Sequence, residues 1–222
     1  MAFFTGTTRL RNVSPIPSSP SSPVVTKEAA VAVLHDHAFF LRCEPAYMSH
    51  RALPSPPDAS NVDPATARLA YRLPPGIEPV AGSAPAVKLY EVVDHVPSPV
   101  WSSSVVSREE FVDLADGVWV RIRAPLAIVM ENRWSVRERV VEDEEWWEGK
   151  EGPGLELVED VEIVCSKLLL GIVRGQVEGN WRDIHGRIVA RMVEGGKKEG
   201  GERKEVGEGA GEGAGEGAGE GE

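Results

Sequence analysis

Residues 155–193, LELVEDVEIVCSKLLLGIVRGQVEGNWRDIHGRIVARMV, carry two hydrophobic periods in succession. From Leu155 to Cys165, apolar side chains alternate with mostly polar ones, which is typical of a β-strand with one buried face. From about Lys167 to Val193, one apolar stripe recurs every three or four residues and predicts a long α-helix. The stripe consists of Leu170, Val173, Val177, Trp181, Ile184, Ile188 and Met192. A strand that leads directly into a long amphipathic helix predicts a helix that packs across a sheet.

The chain upstream of this region mostly follows the two-residue period of β-strands. Strands are predicted at about residues 7–13, 69–73, 87–96, 100–113, 118–124, 128–136 and 155–165. The dipeptide Asp116-Gly117 indicates a hairpin between two of these strands. One helix is predicted from Thr26, which is a suitable N-cap residue, to about Cys43. This order of elements predicts an α+β fold in which an antiparallel sheet carries its helices on one face.

The composition narrows the class of protein. A formal net charge of −11 over 222 residues argues against nucleic-acid binding, which needs a surplus of lysine and arginine. Cys43 and Cys165 lack metal-ligand spacing and are predicted to be buried, reduced thiols, with one disulfide between them as the alternative. No apolar segment is long enough to span a membrane, and the N-terminus lacks the pattern of a signal peptide. We therefore expect a soluble, cytoplasmic protein.

Residues 195–222 consist largely of a Gly-Glu-Gly-Ala repeat with Val206 as the single bulky apolar side chain. Such a segment cannot bury enough apolar surface to offset the entropy of ordering it. We predict one folded domain over residues 1–194, followed by a disordered tail.

Several short motifs follow one another along the chain. They are Leu34-His35-Asp36-His37, Tyr90-x-x-x-Asp94-x-Val96, Phe111-x-Asp113-Leu114-x-x-Gly117, Arg133-Trp134 and Glu159-Asp160-Val161-x-x-x-Cys165. In order and spacing they resemble a fungal family of unknown function with a START-like (SRPBCC, helix-grip) domain. The resemblance covers about residues 5–193 and departs from the family at Glu44, where asparagine is usual. It implies a curved antiparallel sheet of about six to eight strands wrapped around the long C-terminal helix, plus one N-terminal helix.

Two polar residues lie on predicted apolar faces. Glu159 occupies the apolar face of the last strand, where an unpaired carboxylate is costly to bury. Asn132 lies on the apolar face of its own strand, and the two side chains are expected to hydrogen-bond a ligand hydroxyl or carbonyl. Alternatively, Glu159 reaches water at the strand end or pairs with an arginine. His37 is predicted to be a core or cavity-edge histidine with a backbone partner, and a general-base role stays open.

Apolar residues of two strands and the C-terminal helix complete the predicted pocket. They are Ile128, Met130, Trp134, Val161, Ile163, Trp181 and Ile184. Pockets of this composition typically hold an apolar small molecule. The resemblance implies a lipid, a sterol or a polyketide-like compound. The acidic loop with Trp146 and Trp147 forms a lid, a membrane-touching tip or a partner contact, or it packs back on the body.

Three functions remain open from the sequence. The first is a binding module for an apolar small molecule. The second, which the resemblance implies, is an enzyme of the cyclase or aromatase type that some members of the superfamily are, acting on a polyketide-like substrate with Glu159 or His37 as acid or base. The third is a structural or interaction protein whose own side chains fill the cavity. Because no nucleophile motif, phosphate loop or metal-ligand spacing is present, the sequence favours the binding module without catalytic residue, metal or cofactor.

Overall fold

A computed structural model describes residues 4–17, 25–54, 73–81, 86–96, 103–139 and 154–208, with side chains up to Gly195. The strands are β1 (Thr5–Ile16), β2 (Tyr47–Leu53), β3 (Lys88–Val96), β4 (Ser103–Leu114), β5 (Gly117–Ala124), β6 (Ile128–Glu138) and β7 (Leu155–Ser166). The helices are α1 (Lys27–His35), α2 (His37–Leu41) and α3 (Lys167–Glu208). The predicted strand at 69–73 and the loop with Trp146 and Trp147 lie outside the described residues, apart from Leu73.

The described strands form one antiparallel sheet in the order β1-β7-β6-β5-β4-β3-β2. Helix α3 follows β7 directly and packs against β1, β7 and α1. A curved antiparallel sheet that holds a long C-terminal helix is the helix-grip fold, so the predicted architecture is confirmed. Among the described residues, no helix is both long enough and apolar enough to cross a membrane.

The face of the sheet toward the helices, called the inner face below, carries most of the core. Its main cluster, shared with the C-terminal half of α3, includes Phe111, Val120, Trp134, Leu157, Ile188 and Met192. A second cluster near the start of α3 contains Val161, Ile163, Cys165 and Val173. The outer face has its own small core of Val112, Leu114, Trp119 and Ile77. Cys43 and Cys165 are free and buried, as predicted.

The N-terminal helix is divided in two, unlike the single helix predicted. Helix α1 starts as expected, because the Thr26 side chain accepts a hydrogen bond from the Ala29 amide. It ends at Asp36, whose backbone leaves the helical region with ψ 76°. The Asp36 carboxylate then accepts from the Phe39 amide at 3.1 Å and caps α2. The break matters for the site because His35 and His37 then contact different groups, backbone carbonyls for His35 and the Asp113 carboxylate for His37.

Strand β1 is longer than predicted and continues to Ile16. Pro15 is tolerated in it because β1 is an edge strand and one side of its backbone needs no ladder partner. The predicted hairpin is present, but its turn lies one residue earlier than predicted. Leu114 pairs with Gly117, so Ala115 and Asp116 form the turn and Gly117 opens β5.

The last helix extends past residue 194, where the folded domain was predicted to end. Helix α3 reaches Glu208 because residues 197–205 are rich in lysine, glutamate and arginine, which are good helix formers. Residues 209–222 lie outside the described residues, and their disorder stays a prediction. Gly171, Gly175 and Gly179 are exposed, and a Cβ added at any of them would meet nothing within 4 Å, in agreement with an exposed helix face.

Candidate functional site

Glu159 on β7 is the centre of a buried polar cluster. Its side chain lies on the inner face, and the residue is only 4% exposed. Its Oε2 accepts a hydrogen bond from Asn12 Nδ2 on β1 at 2.8 Å, and its Oε1 accepts from Asn132 Nδ2 on β6 at 3.4 Å. The strand order brings these partners together, because β7 lies between β1 and β6. Glu159 and Asn132, which were predicted to bind one ligand group together, lie side by side and hydrogen-bond each other, and no arginine is among the described partners of Glu159.

His185 of α3 approaches the same carboxylate from the helix side. It is 1% exposed, and its Nε2 lies 3.5 Å from Glu159 Oε2. Its Nδ1 is 2.9 Å from the Ser14 hydroxyl oxygen on β1. The ring is held between two indoles, with centroids 5.0 Å from Trp134 and 5.2 Å from Trp181. This packing fixes the imidazole, so the helix and sheet are joined through a polar contact inside the core.

Sequence reasoning missed Asn12, Ser14 and His185. The signal for His185 was present, since it follows Trp181 by four residues on the apolar stripe of α3. Its partners in the structure are a hydroxyl and a carboxylate. The contact of Asn12 with Glu159 depends on the pairing of β1 with β7, which could not be predicted from the sequence.

Three buried polar atoms of this cluster have no hydrogen-bond partner among the described residues. They are the amide oxygen of Asn132, the indole nitrogen of Trp134 and Nε2 of His185. Trp134 is 2% exposed and lies directly across from Glu159 in the ladder. Buried polar groups are usually satisfied, and each one left unpaired costs about 1–3 kcal/mol. The His185 nitrogen at least contacts Glu159 Oε2 at 3.5 Å, whereas the Asn132 oxygen and the Trp134 nitrogen leave hydrogen-bonding capacity unused near Glu159.

The predicted apolar lining is divided between two clusters. Ile128, Met130, Val161 and Ile163 pack near the start of α3. Trp134 and Ile184 belong to the main core, where Trp134 makes an edge contact with Phe40 at 5.2 Å. Trp181 lies between the two, beside His185. Ile122, Met130 and Asn132 remain only half-buried, although they face the helix from interior strands.

His37 does not join the Glu159 cluster. Its Nε2 lies 2.8 Å from Asp113 Oδ1, and its Nδ1 lies 3.2 Å from the Tyr90 hydroxyl. The Lys88 ammonium donates to Asp113 Oδ2 at 2.7 Å. The predicted backbone partner was wrong, because the break at Asp36 points His37 at a β4 carboxylate. His35 is the histidine with backbone partners, the carbonyl oxygens of Leu114 and Gly117.

The electrostatics of Asp113 show what this second cluster does. Burial acts to raise the pKa of Asp113, but the hydrogen bonds from His37 and Lys88 outweigh it and hold the pKa well below its usual range. Asp113 is thus an ionised anchor that ties α2 to β3 and β4. The ring of His37 stacks 4.5 Å from Phe111 and is fully enclosed. This arrangement fits a structural role for His37 better than a general base.

A third group of carboxyls faces the helix side of the sheet, and sequence reasoning missed it. Glu109 on β4 is buried, and burial followed by the charge of Asp94 raises its pKa to about 8. Burial also raises the pKa of Asp94, and burial together with Asp94 raises that of Glu44. Glu44 accepts a hydrogen bond from Asn180 Nδ2 of α3 at 3.1 Å. Glu159 contributes to the raised pKa of Glu44, so the two acidic groups are electrostatically coupled.

Replacing Glu109 with glutamine is expected to alter the dependence of stability on pH. A carboxyl whose folded pKa exceeds its unfolded value favours folding below about pH 4.5, and this contribution is lost as the pH rises toward 8. Urea unfolding of Glu109→Gln should therefore show a flatter profile between pH 5 and 8. The free energy of unfolding of the variant relative to wild type should therefore rise by on the order of 2 kcal/mol between pH 5 and 8. Parallel profiles for both proteins would contradict a buried, neutral Glu109.

The described acidic, histidine and cysteine side chains include no group of three placed to hold a metal ion. The polar clusters are instead joined by amides, a lysine and histidines. Their chemistry is hydrogen bonding and charge stabilisation within an otherwise apolar interior.

Comparison with known proteins places this architecture in a family. Residues 5–194 match the family described as domain of unknown function DUF7053. The chain belongs to the DUF7053 family. The match covers all the described elements up to α3, including the Glu159 cluster. No curated protein matches the chain.

Solved structures resemble the DUF7053 chain in fold only. The di-domain aromatase/cyclase StfQ from the steffimycin biosynthetic pathway has a TM-score of 0.50 at 9% identity, over 88% of this chain. The DUF7053 chain spans about half of that protein, 52% of its length. The Zhui aromatase/cyclase from Streptomyces sp. R1128 has a TM-score of 0.49 at 11% identity, over 84% of this chain and 94% of its own. A Thermus thermophilus protein, TTHA0849, has a TM-score of 0.44 at 13% identity, over 84% of this chain and 97% of its own.

Proposed function

We propose that this DUF7053 protein binds a small molecule between the inner face of its sheet and α3, with a polar group of the ligand at Glu159. One observation carries the proposal. Glu159 is buried beside Asn132 and Trp134, each of which keeps a polar atom without a hydrogen-bond partner among the described residues. A core that served stability alone gains nothing from such unpaired groups, because apolar residues of similar shape are as stable or more so.

The unpaired atoms define the group that the ligand would present. The Trp134 indole N–H is a donor, and the Asn132 amide oxygen is an acceptor. A ligand hydroxyl satisfies both, because it accepts one hydrogen bond and donates another. The half-buried Ile122 and Met130 beside them suit the apolar body of the ligand. The name of StfQ, an aromatase/cyclase with this fold, is compatible with an aromatic or polyketide-like compound.

The two other functions drawn from the sequence have less support. A free general base at Glu159 is disfavoured, because Asn12 and Asn132 both donate to its carboxylate. A protein whose side chains fill the interior should bury the middle of its inner face, whereas Ile122, Met130 and Asn132 stay half-buried. Binding without turnover accounts for both observations.

Native mass spectrometry tests the proposal. The protein is incubated with a methanol extract of its source organism, desalted and weighed under non-denaturing conditions. We expect a small-molecule adduct on wild type and at least about tenfold less on Glu159→Gln, because the loss of one buried charged hydrogen-bonding group costs about 1.5–3 kcal/mol. Glu162→Gln is the matched control, since Glu162 lies on the same strand but faces Arg9 on the surface. Equal adducts on all three proteins, or none on any, would contradict the proposal.

A further inference from the structure

We infer that the end of the sheet where α3 begins docks on the surface of a lipid bilayer that carries anionic lipids. The docking residues are Phe4, Leu126, Leu168 and Ile172, called the apolar end below. This interaction is separate from the Glu159 site and goes beyond the proposed binding of a small molecule.

Two segments of the apolar end meet where β7 passes into α3. Phe4 directly precedes β1, whose first residue pairs with Ser166, the last residue of β7. Leu168 and Ile172 follow in the first turns of α3 and lie one turn apart on the same face of the helix. That face points away from the core, because both side chains are exposed while the neighbouring Val173 is buried. The exposed side chains of the two segments therefore lie at the same end of the sheet.

The β5–β6 hairpin brings Leu126 to this end as well. Val129 pairs with Val164 two residues before β7 ends, so the hairpin tip lies beside the last residues of that strand. Leu126 and Ala127 have φ values of 61° and 57°, a left-handed conformation that is costly for residues with a Cβ. Glycine, asparagine or aspartate is usual at such hairpin positions. Backbone strain of this kind is typical of functional sites, and here it places a leucine at an exposed tip.

Exposure sets the apolar end apart from the rest of the surface. Phe4 is 76% exposed, Leu126 73%, Leu168 86% and Ile172 62%. Over the ranges that the structure describes, no other large apolar side chain exceeds the 55% of Met48. Removal of such side chains from water is favourable, so an exposed apolar group of this size marks a contact with a membrane or a protein.

The charge of this end fits anionic lipids. The segments that form it contain no aspartate or glutamate, although the whole chain has 35 acidic residues. These segments are residues 4–8, 122–130 and 163–177. They carry three exposed cationic side chains, Arg123, Lys167 and Arg174. Since the formal net charge of the protein is −11, an anionic bilayer repels the rest of the molecule and orients this end toward the lipid.

Lys167 is the cation best placed for a lipid phosphate. No described residue forms an ion pair with it, and its stem lies along β1, since a Cβ on Gly6 would come 3.2 Å from Lys167 Cγ. Side chains of this kind cover apolar surface with the stem and keep the charge among the headgroups. Arg123 and Arg174 pair with glutamates at 3.0 and 2.8 Å but stay about half-exposed. Exposed pairs are weak, so both guanidinium groups remain accessible to phosphates.

The shape of the apolar end favours a bilayer over a second protein. Its four side chains project from the start of a strand, the tip of a hairpin and the first turns of a helix, rather than from one continuous face. A fluid bilayer closes around separate apolar side chains, whereas a rigid protein partner needs a surface matched to each of them.

Flotation of the full-length chain with vesicles tests the inference. One set of vesicles is phosphatidylcholine alone, and the other contains about 30% phosphatidylserine, both at about 0.1 M salt. We expect wild type to bind the anionic vesicles at least about fivefold better than the neutral ones. Leu168→Gln combined with Ile172→Gln should reduce binding to the anionic vesicles at least about tenfold, because two apolar side chains no longer enter the bilayer.

Two further variants keep the test independent of folding. Ala190→Gln is the matched control and should bind like wild type, since Ala190 is exposed on the same face of α3 about five turns beyond Ile172. Leu126→Asn should weaken vesicle binding while the midpoint of thermal unfolding stays the same or rises, because asparagine tolerates the left-handed conformation. Thermal unfolding also shows whether the double variant is folded.

The inference has clear contrary outcomes. Wild type that floats with neither set of vesicles would overturn it, and so would a folded double variant that floats like wild type. Sedimentation of wild type without lipid tests a second copy as the occupant. A dimer that the double variant disrupts, together with no vesicle binding, would assign the apolar end to self-association instead. None of these outcomes depends on the Glu159 site, whose adduct is measured separately by mass spectrometry.

Discussion

Gly117→Ala is expected to destabilise the protein by more than about 3 kcal/mol, because a methyl group has no room there. A Cβ on Gly117 would overlap the carbonyl oxygen of Trp134 and lie 2.9 Å from the Cα of Ser135. Both neighbours are backbone atoms of β6 and cannot move without breaking the β5–β6 ladder. The effect is measurable as a lower midpoint of urea unfolding. The same substitution should disturb the site, because Trp134 carries the unpaired indole nitrogen.

Gly171→Ala is the control for this variant. Gly171 is on the exposed face of α3, and an added Cβ meets nothing within 4 Å. Alanine there should stabilise the helix by about 0.5–1 kcal/mol. A loss of stability in Gly117→Ala together with a gain in Gly171→Ala would support the tight approach of β5 to β6. A Gly117→Ala protein as stable as wild type would show that this approach is wrong.

Asp113→Ala is expected to cost about 3 kcal/mol, because it leaves the buried His37 and the half-buried Lys88 without their acceptor. His37 is 4% exposed and cannot turn to water, and the Lys88 ammonium loses a 2.7 Å contact. Since the folded pKa of Asp113 is depressed, its contribution is present above the unfolded pKa near 3.9 and is lost as the pH falls through the lower folded value. The variant should therefore differ most from wild type near neutral pH and less in acid.

Asp116→Ala is the matched control for the Asp113 substitution. Asp116 is in the adjacent turn and pairs with Arg133 at 3.0 Å, with both side chains about one-third exposed. An exposed pair of this kind is worth about 1 kcal/mol or less. Similar losses for the two variants would contradict the role of Asp113 as the anchor of α2. Retention of ligand binding by Asp113→Ala, where it stays folded, would agree with the separation of His37 from the Glu159 cluster.

The strand and helix pattern of this chain was predictable because its periodicity is strong. Leu155–Cys165 alternates cleanly, and the stripe of α3 repeats over many turns, so both elements lie where expected. The end of the first helix was not predictable, because Asp36 is compatible with a helix interior and caps α2 only in the folded context. The end of α3 was predicted too early. The glycines after residue 194 suggested a break, but the lysine and glutamate residues among them favour the helix.

Site residues could be predicted where the pattern of a single strand identifies them, but not where the site depends on how several strands pair. Glu159 and Asn132 were found from alternation alone, because each is the odd polar residue on an apolar face. Asn12 and Glu109 needed the register of neighbouring strands, and that register depends on tertiary packing. His185 was visible on the apolar stripe of α3, but its role depends on a carboxylate from β7.

The indole N–H resonance of Trp134 offers the most direct test of ligand binding at Glu159. In ¹H–¹⁵N spectra, each tryptophan gives one indole signal, and Trp134→Phe assigns the one of interest. The account predicts that a bound small molecule shifts the Trp134 signal downfield, because the unpaired N–H gains an acceptor. The Trp119 signal should stay fixed, since that ring packs on the outer face beneath Arg121. A ligand that binds while Trp134 remains unshifted, or that shifts Trp119 instead, would contradict the assignment of this site.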